Sequence, residues 1–195
     1  MSSNDYLSSE QVLSILQVAN EVGPRELCMF ALAFQHGLRA SEIANLKLAD
    51  VQHGQIFVRR AKKSLQTRQP LQSHSNPLLD EPTILAAWLT VREDNGTDFL
   101  FTSRQKNSDG NAISRRQVYN LFESIAIRAG IPHGLRNPHQ LKHALASLLT
   151  RNGVTLAYVQ QALGHKHISS TVRYTHVSQS EAAAKVSGVM SAVYA

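Results

Sequence analysis

The chain has 195 residues, 43% hydrophobic and 17% charged. That is enough for one substantial core, and it excludes a disordered or fibrous polypeptide. Lysine and arginine number 20 against 14 acids, a formal charge of +6 with a pI near 9.7, which suits a polyanionic partner such as DNA. The single cysteine, Cys28, excludes a disulfide framework or a cysteine metal site. The N-terminus lacks the features of a signal peptide, and no apolar run approaches the roughly 20 residues of a membrane span, so a reducing cytoplasm and no membrane partner are expected.

Ser8-Ser9-Glu10-Gln11 is a capping box, followed by Val12, Ile15, Leu16 and Ala19 at helical spacing. Gly23-Pro24 then punctuates, and a second helix runs through Leu27, Phe30, Ala31 and Phe34 until Gly37 stops it. Its apolar residues lie nearly all round, which predicts burial. Arg39 sits in the turn that follows, before a short helix that Ser41 can cap. A base fixed in this way suits either a bidentate phosphate clamp or a structural contact with loop carbonyls.

After Asp50 the period becomes extended. Gln55 to Arg60 and Thr67 to Leu71 read as two strands of a hairpin with Lys62, Lys63 and Ser64 near the turn. Arg59, Arg60, Lys62, Lys63 and Arg68 crowd this hairpin without an intervening acid, which points to a phosphate backbone nearby. Asp80 to Arg92 reads as a helix with Pro82 in its first turn and Trp88 as a core anchor, and Asn95-Gly96 marks a turn. Ser114-Arg115-Arg116-Gln117 is a second capping box, opening a helix that closes at Gly130. Arg115 and Arg116 oppose the helix dipole, so DNA is the partner expected for them.

Pro138 to Asn152 reads as a helix on which His139, Lys142 and His143 share one face and project away from the core, with Leu141, Leu145 and Leu148 opposite. His139 and His143 have the spacing of a zinc pair, but the glutamate of a metalloprotease helix is absent between them. Thr155 caps a helix from Leu156 to Leu163, Gly164 ends it, and His165 follows in a loop. Ser169 or Ser170 can cap a helix that presents Tyr174, and Ser180 can cap a last amphipathic helix. The whole pattern is mainly α with a small antiparallel β-sheet or hairpin, an α+β chain forming a single domain over residues 1–195.

Gly37-Leu38-Arg39-Ala40-Ser41-Glu42-Ile43, with Leu46 beyond, resembles the box that carries the first catalytic arginine of the tyrosine recombinase (phage integrase) family. Leu163-Gly164-His165, followed by Tyr174-Thr175-His176, resembles that family's C-terminal end. The similar Phe-x-His-Gly-x-Arg-Ala-Ser-Glu-Ile box makes the short recombinases of fimbrial switches the nearest subgroup. Here the family's His-x-x-Arg is His139-x-x-Lys142, which keeps the charge but loses the planar two-pronged contact with a phosphate.

The resemblance implies the family's catalytic-domain fold, without a separate N-terminal DNA-clamping domain, and a DNA-recombining activity by integration, excision or inversion. It implies Tyr174 as the nucleophile that forms a 3′-phosphotyrosine. Arg39 and Lys142, helped by His139 and His165, would stabilise the phosphorane, and Lys62, with Lys63 as a close competitor, would protonate the leaving 5′-oxygen. It implies no metal or nucleotide cofactor, double-stranded DNA as partner, a homo-oligomer of four protomers on two sites, and a C-terminal helix, 179–195, exchanged between protomers. It also implies a bacterial, phage or mobile-element origin. Two rivals remain: a relative that binds DNA and regulates without cutting, and a metallohydrolase built on His139, His143, His165 and His167.

Overall fold

The helix richest in apolar residues organises the rest. In the computed structural model, which describes residues 6–60, 64–94, 96–104, 111–165, 171 and 186, α2 spans Pro24–Gln35 and buries every residue from Arg25 to Phe34. Helix α1 (Ser9–Val22) packs along it, as do α4 (Glu81–Val91) and α6 (His139–Arg151). Full burial of a large apolar side chain contributes about 1.5–3 kcal/mol, so this one helix anchors the core. Phe30 meets Phe122 of α5 (Arg115–Arg128) edge to face at 5.4 Å. Trp88 stacks on Phe101 at 6.3 Å and donates from Nε1 to the Leu100 carbonyl at 3.1 Å, which satisfies its one polar group inside the core. Cys28 is fully buried within α2, its thiol pushed up by that burial.

Both predicted capping boxes form: Ser8 pairs with Gln11, and Ser114 with Gln117. The short helix α3 (Ala40–Ala44) departs from expectation, because Arg39 and not Ser41 occupies its N-cap position. The Glu42 carboxylate accepts from the Arg39 backbone N–H at 2.8 Å and so supplies the cap from inside the first turn. Thr155 stands at the N-cap of α7 (Leu156–Leu163), without a side-chain cap hydrogen bond.

The sheet has three antiparallel strands in the order β1 (Val51–Gln52), β2 (Gln55–Val58), β3 (Thr67–Pro70), with Val58 opposite Thr67 and Gln55 opposite Pro70. The two predicted strands are present but shorter than expected, and the two-residue β1 carries too little pattern to be read from sequence. Along the second strand Ile56 and Val58 point inward while Gln55 and Phe57 point out. That alternation continues past the strand end and governs the fate of the two arginines that follow. Among the described residues no helix is long and apolar enough to cross a membrane. The capping residues proposed at Ser169, Ser170 and Ser180 and, apart from Val186, the helix over 179–195 lie outside the described residues.

Candidate active site

Two turns, far apart in sequence, meet beneath the candidate site. The first follows α2, where Gly37 adopts φ 57° and a Cβ would stand 2.7 Å from Leu163 Cδ2. Only glycine fits this turn without strain or collision, and its close contact with Leu163 links the Arg39 loop to α7. The second turn follows α7, where Gly164 is left-handed and a Cβ would lie 2.7 Å from the Leu65 carbonyl oxygen and 2.8 Å from Arg60 Nε. His165 then emerges buried, with Nδ1 3.0 Å from the Thr171 hydroxyl.

Arg39 has a side chain 30% exposed, and its Nη1 donates to Glu42 Oε1 at 2.8 Å. The same carboxylate accepts from Arg60 Nη1 at 3.1 Å. Burial alone would raise the Glu42 pKa, but the Arg60 guanidinium and the bonds from Arg39 overcome it and hold the carboxyl below its usual range. Glu42 is therefore an anion that orients Arg39, a role not singled out in the sequence. Its signal is the Arg-x-x-Glu spacing at the helix start, where the carboxylate can reach back to the cap N–H.

His139 is half-buried at the start of α6, its ring edge to face with Tyr119 at 6.0 Å. The Arg115 guanidinium lies over that same Tyr119 ring, 5.4 Å from its centre. Burial lowers the His139 pKa, and the nearby charges of Arg39, Arg115 and Lys142 lower it further. The ring is thus a neutral imidazole at neutral pH, with the Arg39 and Arg115 guanidinium groups nearby.

Lys142 overturns the expectation that it projects from the core beside His139. The residue is 6% exposed, and its Nζ donates to the carbonyls of Gly37 at 2.9 Å and Leu163 at 2.8 Å. Burial, then the charges of Arg60 and Arg39, push its pKa down to about 6, with Glu42 opposing. Helical periodicity put Lys142 on the His139 face correctly, but that face abuts the two turns and not solvent. His143, from the same face, stacks on Tyr6 at 5.5 Å.

Arg60 is the second correction. Expected on the DNA-facing hairpin, its side chain is 0% exposed. It donates to the carbonyls of Gly37 at 2.8 Å, His36 at 2.9 Å and Ala162 at 3.1 Å, and more weakly to the Thr67 hydroxyl at 3.4 Å. The alternation of the second strand explains it, since Arg60 is in phase with Ile56 and Val58. Arg59, out of phase, stays 52% exposed and pairs with Asp50 at 2.7 Å. Arg59 and Arg68 flank the Phe57 ring, their guanidinium carbons 5.6 and 5.4 Å from its centre, and together make a cationic outer face on the sheet. Arg68, Arg115 and Arg116 are exposed.

The structure thus gathers Arg39, His139, Lys142 and the turn carrying His165. Lys62, Lys63 and Tyr174 lie outside the described residues, as does His167. Among the described residues, no three His, Cys, Asp or Glu side chains gather as a metal-binding set.

Comparison with known proteins bears on this arrangement. The model of the phage integrase family matches residues 5–181. The type 1 fimbriae regulatory protein FimE of Escherichia coli (strain K12) is 33% identical over 183 residues, covering 90% of this chain and 87% of FimE. The tyrosine recombinase XerA of Thermococcus onnurineus is 32% identical over 174 residues, covering 88% of this chain and 58% of XerA. Among solved structures, a XerA recombinase superposes with a TM-score of 0.72 at 25% identity, covering 94% of this chain and 64% of that one. The Tn1549 transposon integrase in complex with circular intermediate DNA gives 0.76 at 18% identity, covering 96% of this chain and 68% of that one, a likeness of fold.

Proposed function

This chain belongs to the phage integrase family, the tyrosine recombinases, and we propose that it cleaves and rejoins double-stranded DNA at specific sites through a 3′-phosphotyrosine on Tyr174. The phenolic oxygen of Tyr174, its proton passing to solvent, attacks the scissile phosphorus, the bond from phosphorus to the 5′-oxygen breaks, and Lys62 or its neighbour Lys63 delivers a proton to that oxygen. The phosphodiester energy stays in the phosphotyrosine bond, and attack by a 5′-hydroxyl from another strand releases the tyrosine. Charge on the phosphorane is countered by Arg39, oriented through Glu42, with His139 and His165 as hydrogen-bonding partners. Lys142 stands behind this group, its Nζ engaged by two carbonyls. With cations of the chain in these roles and the bond energy conserved, the reaction calls for neither a divalent ion nor a nucleotide.

The observation that carries this reading is the bridge formed by Lys142. One side-chain nitrogen holds the turn that leads to Arg39 and the turn that leads to His165, so two family motifs from opposite ends of the chain converge. Arg59, Arg68, Arg115, Arg116 and Lys63 would contact the phosphate backbone on either side. We further propose that four protomers join two DNA sites, with segment 179–195 passing between neighbours. The outcome would be integration, excision or inversion of a DNA segment, and the relative FimE is called a fimbriae regulatory protein.

The test incubates the protein with supercoiled candidate DNA in the presence of chelator and looks for a detergent-stable, protease-sensitive adduct. Tyr174→Phe abolishes that adduct if the proposal holds. A second reading, a DNA-binding regulator that does not cut, is favoured by the burial of Lys142 where the family has arginine. A mobility shift on DNA without any covalent adduct selects it.

A further inference from the structure

Arg60 lies in the neighbourhood of the site with its side chain wholly enclosed, and the mechanism above gives it no step. Ordinarily a guanidinium is not enclosed in this way unless several acceptors surround it, because desolvating a charge is costly. Here the acceptors come from four separate segments. The His36 and Gly37 carbonyls belong to the turn before Arg39, Glu42 to α3, Thr67 to β3 and the Ala162 carbonyl to the last turn of α7.

Other contacts reinforce the same junction. The Leu65 N–H donates to the Gly164 carbonyl at 3.1 Å, and Gln69 Nε2 donates to the Ala162 carbonyl at 3.0 Å. The Gly164 Cα faces the Arg60 side chain so closely that no Cβ fits between them. The hairpin is therefore fastened through Arg60 to both turns that deliver groups toward the phosphate.

Resting on the recombinase reading, we propose that Arg60 is a positioning residue, whose buried guanidinium sets the separation of Arg39 and His165. It touches no DNA. Its effect reaches the reacting phosphate through the Glu42–Arg39 pair on one side and the Gly164–His165 turn on the other. A displacement of about 1 Å in such a constellation costs on the order of a hundredfold in rate.

The experiment compares the full-length chain with Arg60→Met and Arg60→Lys on supercoiled plasmid DNA carrying a site that the wild type converts to covalent adduct. Adduct formation by Arg60→Met falls on the order of a hundredfold while noncovalent affinity for the same DNA is retained, and Arg60→Lys recovers part of the rate. An unchanged rate in folded Arg60→Met overturns the proposal. So does an equal loss of rate and affinity, which would mean a DNA contact. Should Arg60→Met not fold, Arg60→Lys decides alone, and a full wild-type rate there overturns the assignment. Amide resonances of Gly37, Gly164 and His165, recorded without DNA, provide the arm independent of chemistry. They shift in the Arg60 variants, and unchanged resonances refute the junction even if the wild type forms no adduct, a result that would separately end the recombinase reading.

Discussion

Lys142 and Arg60 donate to the same acceptor, the carbonyl oxygen of Gly37, at 2.9 and 2.8 Å. Two buried basic side chains share one oxygen, and Glu42 is the carboxylate beside them. The arrangement explains why the lysine is the partner that gives up its proton: a guanidinium remains charged throughout the accessible pH range, whereas an amine can deprotonate and still donate two hydrogens to its two carbonyls.

Stability should therefore depend on pH through Lys142. Its folded pKa of about 6 lies well below the ordinary lysine value of 10.5. Between those limits the unfolded chain binds a proton that the folded chain does not, so unfolding free energy rises with pH across that window. In urea titrations at pH 6 and pH 9, the wild type gains stability relative to Lys142→Met as pH increases. A constant difference would show that the amine keeps its proton when folded.

Lys142→Arg should maintain or raise covalent adduct formation, because a planar guanidinium can retain a turn carbonyl while turning a second edge toward the phosphate. Single-turnover assays on the same DNA compare the two proteins. A severe loss in a folded variant would show that the position does not face the phosphate.

The His139 imidazole should titrate below an ordinary histidine, first from burial and then from the Arg39, Arg115 and Lys142 charges. In a histidine-detected NMR titration, Arg115→Gln raises its midpoint. The same substitution removes the cation from the Tyr119 face, so a shift of the Tyr119 ring resonances accompanies it.

On the outer face of the sheet, Arg68→Ala should lower the slope of log binding constant against log salt by about 1, as expected for one lost phosphate contact. Arg59→Ala has a smaller effect, since Asp50 already neutralises part of its charge. Fluorescence anisotropy on duplex DNA over a salt series measures both, and equal slopes in all three proteins would remove this face from the DNA path.

Gly164→Ala places a Cβ against the Leu65 carbonyl and Arg60 Nε at a left-handed backbone position. A cost of about 1–3 kcal/mol is expected from the backbone conformation alone, read from the midpoint of denaturant unfolding. Gly130→Ala is the control: it shares the positive φ, but nothing stands within 4 Å of its Cβ.

Much of the architecture was legible because it is local. Capping boxes at Ser8 and Ser114 and the apolar run of α2 are patterns within a few residues of one another, and local physics decides them. The family motifs located Arg39, His139, Lys142 and His165 by type and order. Which charged side chains turn inward was harder to read. Lys142 shares a helix face with His139, and that face reads as solvent-exposed until the Gly37 and Leu163 turns are brought against it from distant sequence. Arg60 was discernible in principle, since its parity with Ile56 and Val58 is the ordinary rule for a strand. The density of basic residues around it obscured that simpler signal. Glu42 lay in plain view within the motif, but its task emerges only once Arg60 arrives from the sheet to share its carboxylate.

Cys28, the chain's one cysteine, is sealed within α2, and that has a practical consequence. A thiol so enclosed does not react with maleimide dyes under native conditions, so a cysteine introduced on the outer sheet face would accept a fluorophore alone, with the native residue left in place. Energy transfer between chains labelled in this way would test whether they assemble on DNA, without any substitution in the hydrophobic interior.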